Sequence, residues 1–413
     1  MNKEFFVVGI QKIIQSIVGF ISIIVIAKFM SPDDQGLYFS FASILSSYTL
    51  IDLGLSGLLI QLSSKYYFSK NSSLFTSLYL ASRKWFNNLA LISLILIPIG
   101  LIYFKNNIDI FEKNIITPWF LNVCFLSLSI CMLPIISIIE GMNYVVEVYI
   151  LKILFYTSGA IFGWYLIIND MSLYAPGAIY FATFLFVFIY FQIFKDKHFK
   201  FTILNNNFSW KNEILPLQAK VIYSCIAKYL FIFSPTLFIF YFFSPVEAGQ
   251  AGMSSVVLNM ICTITYSSLT SKTPHITKLY SLGNIDQSDK IFRHELVKTM
   301  MFTLISIGIF LIVYKLFENF FLFKRMLDLK IILPLSLSFI IVQLMTAINV
   351  YFRIRGREAL AKSFLYIMLF VYLMSIFLLE LFNLELYTFY WFMFFSLLIL
   401  TLIKIKTYHK ILI

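Results

Sequence analysis

Four lysines and one aspartate stand where the sequence is otherwise too apolar to hydrate a charge. Lys12, Lys152, Lys220, Lys228 and Asp52 each fall inside long, mainly apolar runs. An ionisable group in hydrocarbon costs about 2.5–3.5 kcal/mol on insertion scales and usually marks a polar pathway. Lys220, Ser224 and Lys228 follow at i, i+4 and i+8 and share one helical face. Lys228 lies about 12 residues into its run, about 18 Å at about 1.5 Å per residue, which is close to a bilayer midplane. Gln11, Lys12 and Gln15 form a second polar stripe. An ammonium is a compact point charge with three donors on a flexible stem. In a low dielectric it suits guidance of an anion whose charge hydrocarbon cannot solvate. Plainer roles stand beside this one. Lys152 and Lys220 lie within two turns of a membrane edge, where a lysine snorkels to water. Lys12 fits either role. Asp52 fits a structural partner for a lysine, with Gly54 and Gly57 allowing close helix approach.

Covalent chemistry has no comparable signal. The chain has no Walker A sequence for ATP hydrolysis. His198, His275, His294 and His409 all fall outside the apolar runs, and no Ser/His/Asp or paired-carboxylate arrangement lies within those runs. Cys124, Cys131, Cys225 and Cys262 sit inside apolar runs, where thiols behave as small hydrophobes. No C-x-x-C or His/Cys cluster suggests a metal. Neither enzyme activity nor a cofactor or metal is expected.

The elements that position these lysines follow from composition. Of 413 residues, 60% are hydrophobic and 13% charged, and the mean hydropathy is +0.87. A water-soluble globule averages about 45–50% apolar residues and about 25% charged. Soluble enzymes, nucleic-acid-binding modules and disordered chains are thereby excluded, and the net charge of +12 does not imply a nucleic-acid partner. Spanning helices need about 20 mainly apolar residues. Twelve segments qualify: 5–27, 37–60, 85–104, 117–139, 148–168, 174–194, 216–242, 249–271, 296–317, 328–351, 361–383 and 386–405. The first is interrupted by Gln11, Lys12 and Gln15, and no A-x-A-like cleavage site follows it. It therefore reads as a membrane helix, not a cleaved signal. With the N-terminus inside, the inner connections carry 21 Lys and Arg and the outer ones 7. This asymmetry places both termini in the cytoplasm.

The chain repeats itself. Ser31-Pro32-Asp33-Asp34-Gln35-Gly36 recurs as Ser244-Pro245-Val246-Glu247-Ala248-Gly249, an offset of 213 residues. The same offset carries segments 1–6 onto 7–12 and Gln15 onto Lys228, so the two polar stripes are expected to face one cleft. Six spans is an even number, so the halves are parallel repeats. The expected architecture is an all-α polytopic membrane protein with an N-terminal lobe at 1–200, a cytoplasmic linker at 201–215 and a C-terminal lobe at 216–413. In each motif, Pro32 or Pro245 ends the preceding helix, Asp34 or Glu247 caps the next one, and Gly36 or Gly249 permits the turn. Flexibility for gating is the other role open to them.

Lys28-Phe29-Met30-Ser31-Pro32-Asp33-Asp34-Gln35-Gly36-Leu37-Tyr38 with Asp52-Leu53-Gly54-Leu55 resembles the N-terminal signature of Wzx-type O-antigen flippases. Pro245-Val246-Glu247-Ala248-Gly249-Gln250-Ala251-Gly252-Met253 with Lys272-Thr273-Pro274 resembles the same family in the second half. The resemblance implies the multidrug/oligosaccharidyl-lipid/polysaccharide (MOP) exporter superfamily, with two six-helix lobes in a V and often a cationic central cavity. It implies movement of undecaprenyl-pyrophosphate-linked oligosaccharide repeat units across the bacterial inner membrane. Its implied partners are that glycolipid, the lipid bilayer, polysaccharide polymerase and chain-length machinery, and a coupling ion. The segments contain no Arg, so a cationic cavity would be built from Lys. Two other classes remain open. A membrane glycan polymerase or ligase would carry a large external loop, and the longest outer connections here, 104–116 and 318–327, are short. A cation-coupled drug exporter would favour intramembrane acids over lysines.

Overall fold

The structure, a computed structural model, describes residues 3–52, 54–69, 72–105, 114–198, 209–355, 361–382 and 385–412. Among them all regular structure is helical. The backbone divides into two compact units, Met1–Cys225 with Thr236–Gly249, and Ile226–Pro235 with Gln250–Ile413.

The first unit begins with α1 (Lys3–Phe29), α2 (Pro32–Leu45), α3 (Tyr48–Asp52), α4 (Leu55–Phe68), α5 (Ser72–Ser93) and α6 (Leu96–Lys105). It continues through α7 (Ile116–Gly141), α8 (Val145–Ile168), α9 (Ala175–His198) and the short α10 (Trp210–Glu213). α7 packs against α4, α5 and α9, and α8 lies between α1 and α9. Expected segments 2 and 3 are each broken. Pro98, in the first turn of α6, explains the α5/α6 break at 94–95, since it lacks the N–H that a continuous helix would use to bond the Leu94 carbonyl. The buried Trp119 indole donates to the Leu96 and Ile97 carbonyls beside that break, at 3.2 and 3.0 Å. Residues 201–208 of the expected linker lie outside the described residues. Beyond them, α10 is fixed to the first unit by stacking of Trp210 on Trp85 and by a hydrogen bond from the Tyr66 hydroxyl to Glu213.

α11 (Leu215–Ile232), α12 (Ser234–Phe242) and α13 (Pro245–Ser281) contribute to both units. α11 and α12 meet at a 44° bend. Pro235 lacks the N–H that would bond the Phe231 carbonyl, so the ladder cannot run straight through. The second unit is completed by α14 (Ile285–Leu316), α15 (Leu329–Ile354), α16 (Ala361–Phe382) and α17 (Leu386–Leu412).

α14 shows the inverted patterning of a membrane helix. Thr299, Thr303 and Ile307 are buried, while Leu304, Ile305, Ile309 and Ile312 are exposed. The buried threonine is held by polar partners: Gln343 Nε2 donates to Thr265 Oγ1 at 3.0 Å and to Thr303 Oγ1 at 2.7 Å, joining α13, α14 and α15. Such hydrogen bonds hold helices together where both water and a hydrophobic driving force are absent.

Among the described residues, ten spans are long and apolar enough to cross a membrane, or eleven if the bent α11–α12 pair is one span. The sequence predicts twelve. The difference is segment 249–271, which lies inside the 37-residue α13. Gln250, Asn259 and a run of Ser and Thr lower the hydropathy of that helix.

Candidate functional site

The flagged lysines have different surroundings. Lys152, on α8, forms an ion pair with Glu140 Oε2 at 2.9 Å, and its ammonium lies 4.3 Å from the centre of the Tyr149 ring. Lys152, flagged in the sequence as a pathway or snorkelling lysine, is instead one half of an ion pair between α7 and α8. α7 runs on to Gly141 and brings Glu140 onto a helix, where sequence reading ended the segment at 139. Lys12 is exposed on α1 and Lys228 on α11, and neither makes an ion pair among the described residues. Gln15 is also exposed and accepts from Gln11 Nε2 at 3.1 Å. The Lys220 side chain lies outside what the structure describes. Lys228 sits just ahead of the last turn of α11, above the 44° bend. Carbonyls freed at a helix C-terminus carry partial negative charge that favours a cation there.

Among the described residues, Asp52 has no lysine partner. Its Oδ1 accepts from Ser56 N at 3.2 Å and from Ser56 Oγ at 2.9 Å. It thereby ties the end of α3 to the first turn of α4. Gly54 between them has φ +74°, a left-handed conformation that a side chain disfavours. A Cβ there would also come within 2.9 Å of Val221. Tyr48 neighbours Asp52, and its ring lies 6.1 Å from that of Tyr180 in an edge arrangement. Asp52 therefore stabilises a helix break beside a tyrosine cluster.

The two repeated motifs meet inside the first unit. Ser31 Oγ accepts from Asp34 N at 3.1 Å and donates to Asp34 Oδ2 at 2.7 Å. Ser244 Oγ accepts from Glu247 N at 3.2 Å and donates to Glu247 Oε2 at 2.9 Å. The serines are therefore the N-caps and the acids hold the serine hydroxyls, the reverse of the sequence expectation. Pro32 and Pro245 are the first residues of α2 and α13, where the missing N–H has no helical partner to lose. Neither Gly36 nor Gly249 has positive φ, so neither is a turn glycine. They are where the two helix starts cross. A Cβ on Gly36 would lie 1.9 Å from the Pro245 carbonyl oxygen, and one on Gly249 would lie 2.8 Å from Gly36 N. Gln35 Nε2 bonds the Gly249 carbonyl at 2.9 Å.

Sequence reading missed a groove in the second unit. It has a volume of about 860 Å³ and runs between α13 and α15. Tyr266, Thr270, Thr273, Thr277 and Lys278 line it from α13, and Thr346, Val350 and Arg353 from α15. Tyr266, Thr270, Thr273 and Thr277 on α13, and Thr346, Val350 and Arg353 on α15, follow helical spacing along one face, and Lys278 lies one residue further round. Arg353 corrects the expectation that no Arg lies on a spanning helix: α15 extends to Ile354, past the expected end at 351. Lys278, expected in a loop, lies on α13, which continues to Ser281. The signal available in the sequence was the threonine spacing at 270, 273 and 277, which carries no charge to draw notice.

No family model and no curated protein matches the chain. Solved structures do. An inward-facing MATE-family multidrug transporter of the MOP superfamily matches with a TM-score of 0.68 at 10% identity, covering 100% of this chain and 98% of the other. The lipid II flippase MurJ in an inward closed conformation matches at 0.66 and 15% identity, covering 96% and 87%. A MOP superfamily transporter from Pyrococcus furiosus, described as having a binding pocket of reversed polarity, matches at 0.62 and 12%, covering 99% and 95%. The chain has the fold of MOP superfamily transporters. With its run of apolar helices, it is a multi-pass membrane protein.

Proposed function

We propose that the protein is a flippase that moves undecaprenyl-pyrophosphate-linked oligosaccharide, an O-antigen repeat unit or a related polysaccharide unit, across the bacterial inner membrane by alternating access. The observation that carries this reading is that Lys12 and Lys228 lie exposed on apolar helices with no acid partner among the described residues. Lys228 is exposed near the middle of the 215–242 run, and Lys12 is exposed on α1. A cation coupling site would call for the opposite balance. Asp52, the acid sequence reading identified within the spans, is already bonded to Ser56.

The cargo's chemistry fits this arrangement. The polyprenyl tail stays in lipid, so the protein needs to supply a polar path only for the pyrophosphate and sugar. Lys228 meets the headgroup midway, and Lys12 and Lys220 meet it as it enters from the cytoplasm. The likeness to MurJ, itself named a lipid II flippase, supports a lipid-linked cargo. The Pyrococcus transporter supports the point that this fold accommodates pockets of different polarity. Both termini lie in the cytoplasm in this reading, and polysaccharide polymerase and chain-length machinery act after the protein. No step requires bond-making by this chain. The test is a deletion strain of the source bacterium. Loss of surface O-antigen with accumulation of lipid-linked single repeat units, both restored by the wild-type gene, is the expected result. Normal surface polysaccharide in the deletion strain overturns the reading.

A further inference from the structure

We propose that the tyrosine cluster around Asp52 in the first unit is a sugar-binding subsite that takes the uncharged glycan part of the cargo on tyrosine rings and hydroxyls. The proposal rests on the transport reading above and adds four tyrosines that this reading does not use.

Four helices meet at the cluster. Tyr38 comes from α2, Tyr48 and Asp52 from α3, Tyr156 from the middle of α8 and Tyr180 from α9. Tyr48 neighbours Tyr156 and Asp52. Tyr180 neighbours Tyr38, Tyr48 and Tyr156, and Ser46 stands beside its hydroxyl. Glycine sets the spacing of two of these helices. A Cβ on Gly159 would lie 2.8 Å from the Ile179 Cα, so α8 and α9 approach closely about one turn from Tyr156 and next to Tyr180.

The state of the hydroxyls carries the inference. Tyr38, Tyr48, Tyr156 and Tyr180 are each half-buried. Among the described residues, the hydroxyls of Tyr38, Tyr48 and Tyr156 make no hydrogen bond, and none of the three is sealed inside the protein. By contrast, Tyr314 donates to the Leu327 carbonyl at 2.8 Å and Tyr372 to the Leu230 carbonyl at 2.8 Å. A hydroxyl drawn away from bulk water without a partner is costly. Three in one place suit a ligand that both donates and accepts.

A sugar is such a ligand. Its rim of O–H groups donates and accepts, and its C–H faces pack on aromatic rings. The Tyr48 and Tyr180 rings stand at 83° with centres 6.1 Å apart, so they offer faces in two directions. Ser56 engages Asp52 Oδ1, and a carboxylate bonded there retains capacity for further O–H donors. A phosphate is a poor match. Lys152, one turn from Tyr156 on α8, is taken by Glu140, and Asp52 opposes an anion. An organic cation would use the ring faces and the carboxylate but leave the hydroxyls unmet.

The test is saturation-transfer NMR with the full-length protein in lipid nanodiscs. One probe is the single repeat-unit oligosaccharide prepared from the source bacterium's surface polysaccharide, and the other is tetraphenylphosphonium. The wild type is expected to saturate the glycan. Combining Tyr38→Phe, Tyr48→Phe and Tyr156→Phe keeps every ring and removes the three hydroxyls. This triple variant is expected to bind the glycan about tenfold or more weakly. Its thermal midpoint is expected to match wild type, because the lost hydroxyls bond nothing within the described residues. No saturation of the glycan by wild type, or equal affinity in the triple variant, overturns the subsite. A lowered midpoint in the triple variant makes the hydroxyls part of the fold and overturns them as ligand groups. Saturation of tetraphenylphosphonium in place of the glycan, lost on Asp52→Asn, overturns the sugar assignment in favour of an organic cation. The transport reading is decided separately, by the surface polysaccharide of the deletion strain.

Discussion

Lys152 in the first unit and Lys228 in the second are the same residue type on two apolar helices, in opposite surroundings. Lys152 has Glu140 at 2.9 Å and the Tyr149 ring beneath it. Lys228 is exposed and has no acid partner among the described residues. A membrane lysine is therefore not by itself a transport residue. An apposed acid turns the same ammonium into a fastener between α7 and α8; with no acid apposed among the described residues, Lys228 is the charge that the proposed function assigns to a mobile headgroup.

The largest expected effect follows from reversing that charge. Lys228→Glu is expected to reduce O-antigen export at least about tenfold with protein level unchanged, since one charge-assisted contact becomes a repulsion. Lys228→Ala falls close behind, while Lys228→Arg retains much of the export because the charge remains. Quantitative comparison of surface polysaccharide in complemented deletion strains checks all three. Full export by the Glu variant would remove Lys228 from the path.

Lys152 should break in another currency. Lys152→Ala leaves a half-buried carboxylate unpaired, which costs about 1–3 kcal/mol of stability. The thermal midpoint of the purified protein is expected to fall. Combining Lys152→Met with Glu140→Gln removes both charges and is expected to recover most of the loss, as apolar or neutral replacement of such pairs often does. Export per molecule should follow wild type in the double variant. If export fails in that stable double variant, Lys152 belongs with Lys228 and the contrast collapses.

Part of this contrast was legible in the sequence and part was not. Segments 1, 4 and 5 were legible because an apolar run announces a membrane helix, and the repeated S-P-x-[D/E]-x-G was legible because Pro and Ser punctuate helix starts for local reasons. Lys228 was legible as a deep charge. Glu140 was not, because it lies a single residue beyond the apolar run, and helix length is set by backbone hydrogen bonding and packing as well as by hydropathy. Arg353 and Lys278 were lost for the same reason. The meeting of Gly36 with Pro245 and Gly249 was also hidden. A glycine's spacing shows that a neighbour can come near, but only the tertiary fold says which one does.

Two smaller effects sharpen the comparison further. Lys12→Gln is expected to lower export less than Lys228→Ala, since a lysine at the entrance meets a headgroup still partly hydrated. Gln replacements of His275 and His294, both exposed, are expected to leave export unchanged, because no proton transfer by this chain is part of the account. A dead His variant at normal protein level would point to chemistry in place of passage.

The central claim is that the chain carries a lipid-linked glycan across the bilayer. The direct measurement is the sidedness of that glycolipid in spheroplasts after depletion of the protein. A membrane-impermeant oxidant applied outside reports how much of the glycan faces the periplasm. The account expects the accumulated repeat units to be inaccessible to it until the protein is restored. Accumulation of repeat units already exposed on the outer face would mean that the protein acts after translocation, and would contradict the account.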